Sequence, residues 1–388
     1  MWIPRTLSEK IQSLAKTFPA ILLTGARQVG KTSLLTHLFP DHSIATLDLP
    51  SNAELAEREP EEFLKRYPPP VVIDEVQYAP ALFRYLKIAI DKHRDRFGQF
   101  ILTGSQKFTL MNKVADSLAG RCAILELETL SFKESQAARN ASEIEFIVRG
   151  GFPELHAIPS LDANAYYQSY VATYLERDVR TLLHVTQLRD FERFVRACAL
   201  RNAQVLNKSD LARDVGISPV TANEWLSVLA ASNQVVLLEP WFNNKTKSLI
   251  KSPKLYMADS GLLCYLLGIH DVQSLMKSPL AGAIWESFVF SEIRKQLKQG
   301  KHDIWLWRDH RGLEVDFIIH SGGRFTFIEA KFTESPNQRD EKSMNDIAAL
   351  IGSKKITTRL IVARVQTSYP ISETTRVIPI TEIHQYIE

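Results

Sequence analysis

Residues 25–32 read GARQVGKT. They follow an apolar run of buried-strand length, Ala20 to Thr24, and open a helical stretch that ends at Pro40. A loop of this kind turns its backbone N–H groups inward at a helix start, where they wrap phosphate oxygens. The pattern assigns Gly25, Ala26, Arg27, Gln28, Val29, Gly30, Lys31, Thr32 and Ser33 to a nucleotide cradle. Lys31 is expected on the β- and γ-phosphates and the Thr32 hydroxyl on Mg²⁺, so ATP and Mg²⁺ are the expected cofactors. A plain glycine turn with a solvated lysine would need neither the strand before it nor the helix after it.

Such a loop requires a second, acidic strand. PPPVVIDEVQ supplies it, with Asp74 expected to hold Mg²⁺ and Glu75 to polarise the attacking water. A third apolar strand, QFILTGSQ, ends in hydroxyls. Thr103 or Ser105 can sense the γ-phosphate from the carboxyl edge of an open sheet, or simply cap a strand end. Arg121, at the start of the next strand, is a candidate for an arginine that reaches a phosphate in its own or a neighbouring subunit; a solvated flank is the plainer reading. Alternating strand and helix signals give an α/β core over residues 1–155.

The chain has 388 residues, too many for one ordinary domain. No apolar run reaches membrane-spanning length, and MWIPRTLSEK does not read as a signal peptide, so a membrane partner is not expected and a cytoplasmic location is. Cys122, Cys198 and Cys264 are far apart, in no metal-ligand spacing, as suits a reducing compartment. Net charge is only +3, so any surface for nucleic acid must be local.

Residues 156–280 read as a helical lid and a winged helix, with the helical pattern running from Asp162 to about Ala203. Tyr167, Tyr170, Val171, Tyr174 and Leu175 recur at helical spacing, a pattern of packing more than of base stacking. Arg177 and Arg180 flank Asp178 on what reads as a solvated face. Further on, Ser209 is placed to cap a short helix, Gly216 to turn, and Ser218 with Pro219 to start a second helix. Val220, Trp225, Leu226 and Leu229 are expected on its core face, and strands VVLLEPW and KLYMA follow. This is a helix-turn-helix with a wing. Lys245, Lys247, Lys251 and Lys254 in the basic loop are candidates for phosphate contacts with DNA. A protein-interaction or spacer role fits the same pattern.

Residues 281–388 carry an acidic hairpin, EVDFIIHSGGRFTFIEAKF. In a strand, positions i and i+2 share a face, so Glu329 and Lys331 point the same way. Pairing of Phe317–Ile319 with Phe325–Ile328 brings Asp316 near both. Two carboxylates make a Mg²⁺ site beside which a lysine can orient water or steady a phosphorane. Glu286, on the amphipathic stretch upstream, is placed to add an acid.

With GARQVGKTSLL, VVIDEVQ, FILTGSQ, SLAGR, GGFPE, YLERDV, KLYMADSGLLCYLLG and GLEVDFII…IEAK in order, the whole chain resembles AAA+ ATPases of the AAA_14 class with a C-terminal DUF4143 domain. The last part resembles the PD-(D/E)xK nuclease superfamily. By that resemblance Asp316, Glu329 and Lys331 take its core positions and Glu286 its helix acid, with Val315 where a proline often stands. The resemblance also implies a homo-oligomer whose sites are completed by a neighbour's arginine. The expected function is ATP hydrolysis coupled to DNA, with nuclease or branched-DNA binding activity. The alternative is an ATP-dependent conformational or oligomeric switch with an inactive nuclease-like docking domain. A plain transcriptional regulator would leave the acidic hairpin unexplained.

Overall fold

The computed structural model describes residues 1–105, 117–174, 188–241, 252–297, 303–309 and 311–387. Arg177, Asp178 and Arg180, and the wing lysines Lys245, Lys247 and Lys251, lie outside them. The chain divides into two compact units. The first comprises residues 1–130 with short returns at 152–157 and 231–233, and the second comprises the rest. Residues 131–151, which the sequence groups with the core, therefore belong to the second unit. The stretches expected as middle and last domains share that unit.

In the first unit, strands β1 (Ala20–Thr24), β2 (Ser43–Thr46), β3 (Val71–Asp74), β4 (Phe100–Gly104) and β5 (Cys122–Glu126) form one parallel sheet in the order β2-β3-β4-β1-β5. Every residue of β1, β3 and β4 is buried, the continuous apolar signature of a strand covered on both faces. Leu22, Ile73, Phe83, Leu86 and Leu102 belong to its main hydrophobic cluster. The carboxyl end of β1 delivers the chain to the glycine loop. β4 lies between β1 and β3, so anything linking the loop to Asp74 passes the end of β4.

The second unit begins its helix-turn-helix with the helix Lys208–Val215. Its cap is Asn207, not Ser209: the Asn207 side chain accepts from the backbone N–H groups of Ser209 and Asp210. Gly216 makes the turn at φ 81°, and the helix Pro219–Ala231 follows. Ala222, Trp225, Leu226 and Leu229 are its buried face. Val220 stands about 200° around the helix from Ala222 and is exposed, against the sequence expectation. Strands β6 (Gln204–Val205), β7 (Val235–Leu238) and β8 (Lys254–Met257) form an antiparallel sheet in the order β6-β8-β7.

Tyr167, Tyr170 and Val171 of the stripe are buried, as its spacing predicts, while Leu175 and the Tyr174 side chain lie outside the described residues. The Tyr167 hydroxyl donates to Asp259 Oδ1 at 2.9 Å, and Gly151 N–H donates to Asp259 Oδ2 at 2.8 Å. Asp259 also caps the helix Ser260–Leu266. A Cβ on Gly261 would collide with the backbone of Gly150, so the GGF and DSG segments touch where neither admits a side chain.

The acidic hairpin belongs to a six-stranded mixed sheet: β9 (Asp303–Arg308), β10 (Glu314–Ser321), β11 (Arg324–Lys331), β12 (Ile356–Ala363), β13 (Tyr369–Pro370) and β14 (Thr375–Ile378), in the order β13-β14-β12-β11-β10-β9. β10 and β11 pair as the hydrophobic pattern predicts, Phe317 opposite Ile328 and Ile318 opposite Phe327. Gly322 and Gly323 both take positive φ at the two-residue turn, as hairpin twist favours. The two sheets of this unit join where Trp241 N–H donates to the Leu306 carbonyl and Leu306 N–H to that of Glu239.

The helix Ala281–Gln296 packs near residues 131–151: Glu292 Oε2 accepts from Phe132 N–H at 3.0 Å, and Phe132 and Phe146 meet Phe288. Burial pushes the Glu292 carboxyl up to about 7, against the pull of Lys295 and the Phe132 N–H. The folded state thus keeps a proton that the unfolded chain releases near its ordinary 4.5. The stability this contributes is complete below that value and is lost as pH rises through 7. Glu292→Gln should remove this slope, amounting to about 3 kcal/mol between the two limits. Denaturant unfolding of both proteins across that pH range checks it; parallel curves would refute it.

Candidate functional site

The glycine loop is built by backbone conformations that few other residues accept. Gly25 has φ 148° and Gly30 φ 88°, and a Cβ on Gly25 would strike the Leu127 carbonyl. Gly30 starts the helix Lys31–Leu38. Lys31 is buried, and its ammonium donates to the carbonyls of Gly25 and Ala26, each at 3.0 Å. Arg5 braces the loop from outside it, donating to the Val29 carbonyl at 2.9 Å and the Glu128 carbonyl at 2.6 Å.

The three strand ends meet under the loop. Asp74 Oδ1 accepts from the Thr32 hydroxyl at 2.7 Å and the Thr103 hydroxyl at 2.6 Å. The Thr103 hydroxyl also accepts from Glu75 N–H at 3.0 Å. Glu75 stands at φ 56°, in the left-handed region, and its carboxylate accepts from Gln77, from the Ser105 hydroxyl at 3.2 Å and from Ser105 N–H at 3.3 Å. Burial pushes this carboxyl up, but Lys31, Gln77, Arg27 and Ser105 together outweigh it and hold Glu75 below the ordinary range. The carboxylate and hydroxyl of Asp74 and Thr32 are the hard oxygen donors Mg²⁺ prefers, and the buried Lys31 supplies a cation for phosphate. The residues present fit a magnesium nucleotide.

Arg121 is not brought to this loop. It precedes β5 at the amino edge of the sheet, about 16 Å of strand away from the glycine loop. There it grips Asp91 with two bonds, at 2.7 and 3.0 Å. A role toward its own subunit's phosphates is excluded by that position.

The second constellation lies in the other unit. Glu329 and Lys331 do share a face and pair at 3.0 Å. Asp316 Oδ2 accepts from Ala330 N–H at 2.9 Å. Burial and the Asp316 charge push Glu329 well above its ordinary value, against Lys331. Burial and Asp316 likewise push Glu286 up to about 7, against Lys254. The four residues expected to act together are therefore neighbours. Three more join them. Lys254 Nζ lies 2.6 Å from Glu286 Oε1, 2.5 Å from Glu314 Oε1 and 3.7 Å from Asp316 Oδ1. The Tyr256 hydroxyl donates to the same Glu286 oxygen at 2.6 Å. Lys254 is 2% exposed, so it is no surface phosphate contact, contrary to its expected place among the wing lysines. A divalent ion between these acids would stand against an ammonium, and among the described residues no three His, Cys, Asp or Glu side chains are arranged to hold a metal. The cluster as folded does not fit one.

An AAA-domain model (AAA_14) matches residues 17–136, and models for two domains of unknown function, DUF8612 and DUF4143, match residues 140–273 and 281–383. Residues 17–136 are thus similar to AAA domains of the AAA_14 class and residues 281–383 to DUF4143 domains. Uncharacterized proteins of Mycobacterium tuberculosis and Mycobacterium bovis are 29% identical to it over 381 residues, covering 98% of this chain and 84% of each relative. Among solved structures, a Walker-type ATPase of Pyrococcus abyssi is similar at 17% identity and TM-score 0.45, over 67% of this chain and 94% of that one. The Thermotoga maritima RuvB Holliday junction branch migration motor is similar at 18% identity and TM-score 0.30, over 60% and 89%. Among the described residues no helix is long and apolar enough to cross a membrane.

Sequence reasoning found the loop and acids of the AAA_14 domain but missed Arg5, which no motif marks. In the DUF4143 domain it missed Glu314, although the i, i+2 rule that paired Glu329 with Lys331 also puts Glu314 on the face of Asp316. Lys254 and Tyr256 are likewise two apart on β8. The bracing by Arg5 predicts that Arg5→Ala weakens ATP binding roughly tenfold, the worth of a buried charge-assisted hydrogen bond. Equilibrium binding of a fluorescent ATP analogue measures this, and unchanged affinity would dismiss the brace.

Proposed function

We propose that this protein hydrolyses ATP and couples the turnover to DNA. The observation that carries the hydrolysis is the hydrogen-bonded set Thr32–Asp74–Thr103, with an ionised Glu75 beside it. When bound, Mg²⁺ would be held through Thr32 and Asp74 and would neutralise phosphate charge. Lys31 would offset phosphate charge of the bound nucleotide. Glu75, kept as a carboxylate by Lys31 and Gln77, orients and deprotonates the attacking water. Thr103 fixes the backbone of Glu75 and the carboxylate of Asp74 with one hydroxyl, so it positions both. Ser105, bonded to Glu75, is placed to report the γ-phosphate to the same acid.

The DNA part is supported by the helix-turn-helix, whose second helix leaves Val220, Asn223 and Ser227 exposed opposite its buried face. An oligomer completed by a neighbour's arginine rests on the family resemblance. Arg121 remains available for that role only by giving up Asp91. Burial of Lys254 among the DUF4143 acids favours a second reading for that domain, a docking surface that holds DNA or protein without cutting.

Glu75→Gln should lower the hydrolysis rate by roughly 10²–10⁴-fold while ATP still binds. A steady-state phosphate-release assay beside a binding assay checks it, and equal loss of both would remove Glu75 from the chemistry. The coupling is tested by the hydrolysis rate with single-stranded, duplex, forked and four-way-junction DNA, with Lys31→Ala as the blank. A severalfold rise with one of these identifies the coupled substrate. No rise with any would set DNA aside in favour of a nucleotide switch, read as an ATP-dependent change in size on a sizing column.

A further inference from the structure

Lysine is almost never fully buried unless it is paired, and Lys254 is buried on a strand of the small β6-β8-β7 sheet, outside the DUF4143 domain whose acids it meets. Its partners are not incidental. Glu286 and Asp316 are the helix acid and strand acid that the sequence marks as cation ligands, and Glu314 stands beside Asp316 on β10. Other cations of the chain meet the cluster too: Arg308 Nη1 donates to Glu314 Oε2 at 2.7 Å, and Lys331 pairs with Glu329. An ammonium is a compact charge with three donors, suited to bridge several carboxylates much as a hard metal ion does. Tyr256, two residues along the same strand face, donates to the very oxygen of Glu286 that Lys254 contacts, so β8 presents two donors to one acid.

We infer that Lys254 is a built-in counter-ion: its ammonium occupies the position a divalent cation would take in the acidic cluster, closing that cluster to metal-dependent phosphodiester cleavage. The inference rests on the nuclease-like reading of the DUF4143 acids. It makes this domain a binding or docking module whose former metal position is used to fasten the β6-β8-β7 sheet to β10 and to the helix Ala281–Gln296. The carboxylates keep their convergence because a cation is always present to offset their repulsion, and that cation comes with the fold.

The test is Mn²⁺ titration of the full chain without nucleotide, followed by the loss of the free-ion paramagnetic resonance signal. The wild type should show no site that Asp316→Asn removes. Lys254→Met should acquire such a site, with Mn²⁺ affinity raised roughly 10–100-fold, the range over which residues beside a metal site act. The double variant Lys254→Met, Asp316→Asn should lose it again. Should Lys254→Met fail to fold, Lys254→Met combined with Glu314→Gln removes one charge of each sign and leaves Glu286 and Asp316 for the ion. A wild-type site that depends on Asp316 would overturn the counter-ion, since the lysine would then yield to metal. A wild type and a folded Lys254 variant that both lack a site would instead overturn the nuclease-like reading itself, because the acids would hold no metal even with the position cleared.

Discussion

Asp74 Oδ1 accepts two hydroxyls at once, one from the helix that follows the glycine loop and one from β4. The arrangement of the first unit follows from making that meeting possible. Thr32 is carried on the helix after β1, and Asp74 ends β3. Thr32 reaches that carboxylate directly, and β4, lying between β1 and β3, can add a second hydroxyl at this level. Thr103 does so, and its single oxygen then ties the Asp74 carboxylate to the Glu75 backbone.

The same economy shapes the glycine loop. Gly25 passes so close to the Leu127 carbonyl that no side chain fits, and Gly30 hands the chain to its helix from a left-handed conformation. The Lys31 ammonium donates to the carbonyls of Gly25 and Ala26, which satisfies a buried charge that would otherwise be costly to keep. Arg5 braces the same loop from the N-terminal side.

Much of this was legible in the sequence because the information was local. A glycine loop between an apolar strand and a helix, an acidic pair closing a buried strand, and two short apolar strands around a Ser-Gly-Gly turn each announce themselves within some twenty residues. The β10–β11 pairing followed from matching those two apolar runs across the turn. What stayed hidden depends on distant neighbours. Nothing near Arg5 names Val29 or Glu128 as its partners. Lys254 sits in a lysine-rich stretch and reads as one more surface cation, yet its partners lie 32 and 60 positions away. Val220 failed for a different reason: apolarity alone put it inside, whereas the angular position of Ala222, Trp225, Leu226 and Leu229 leaves it out. Arg121 shows that residue type near a strand start says little until the direction of the sheet is known.

The Lys254 contact has a consequence for how the second unit meets its surroundings. A bound metal ion exchanges with solution, and a chelator can withdraw it or a competing ion replace it. An ammonium on a four-carbon tether has no dissociation into bulk and no rival for its place. The cluster's shape is therefore indifferent to the divalent content of the medium, so conditions that strip the nucleotide site of magnesium would leave the join between β8 and β10 intact. Within one chain, one oxygen-lined site would respond to the cell's ionic state while the other ignored it.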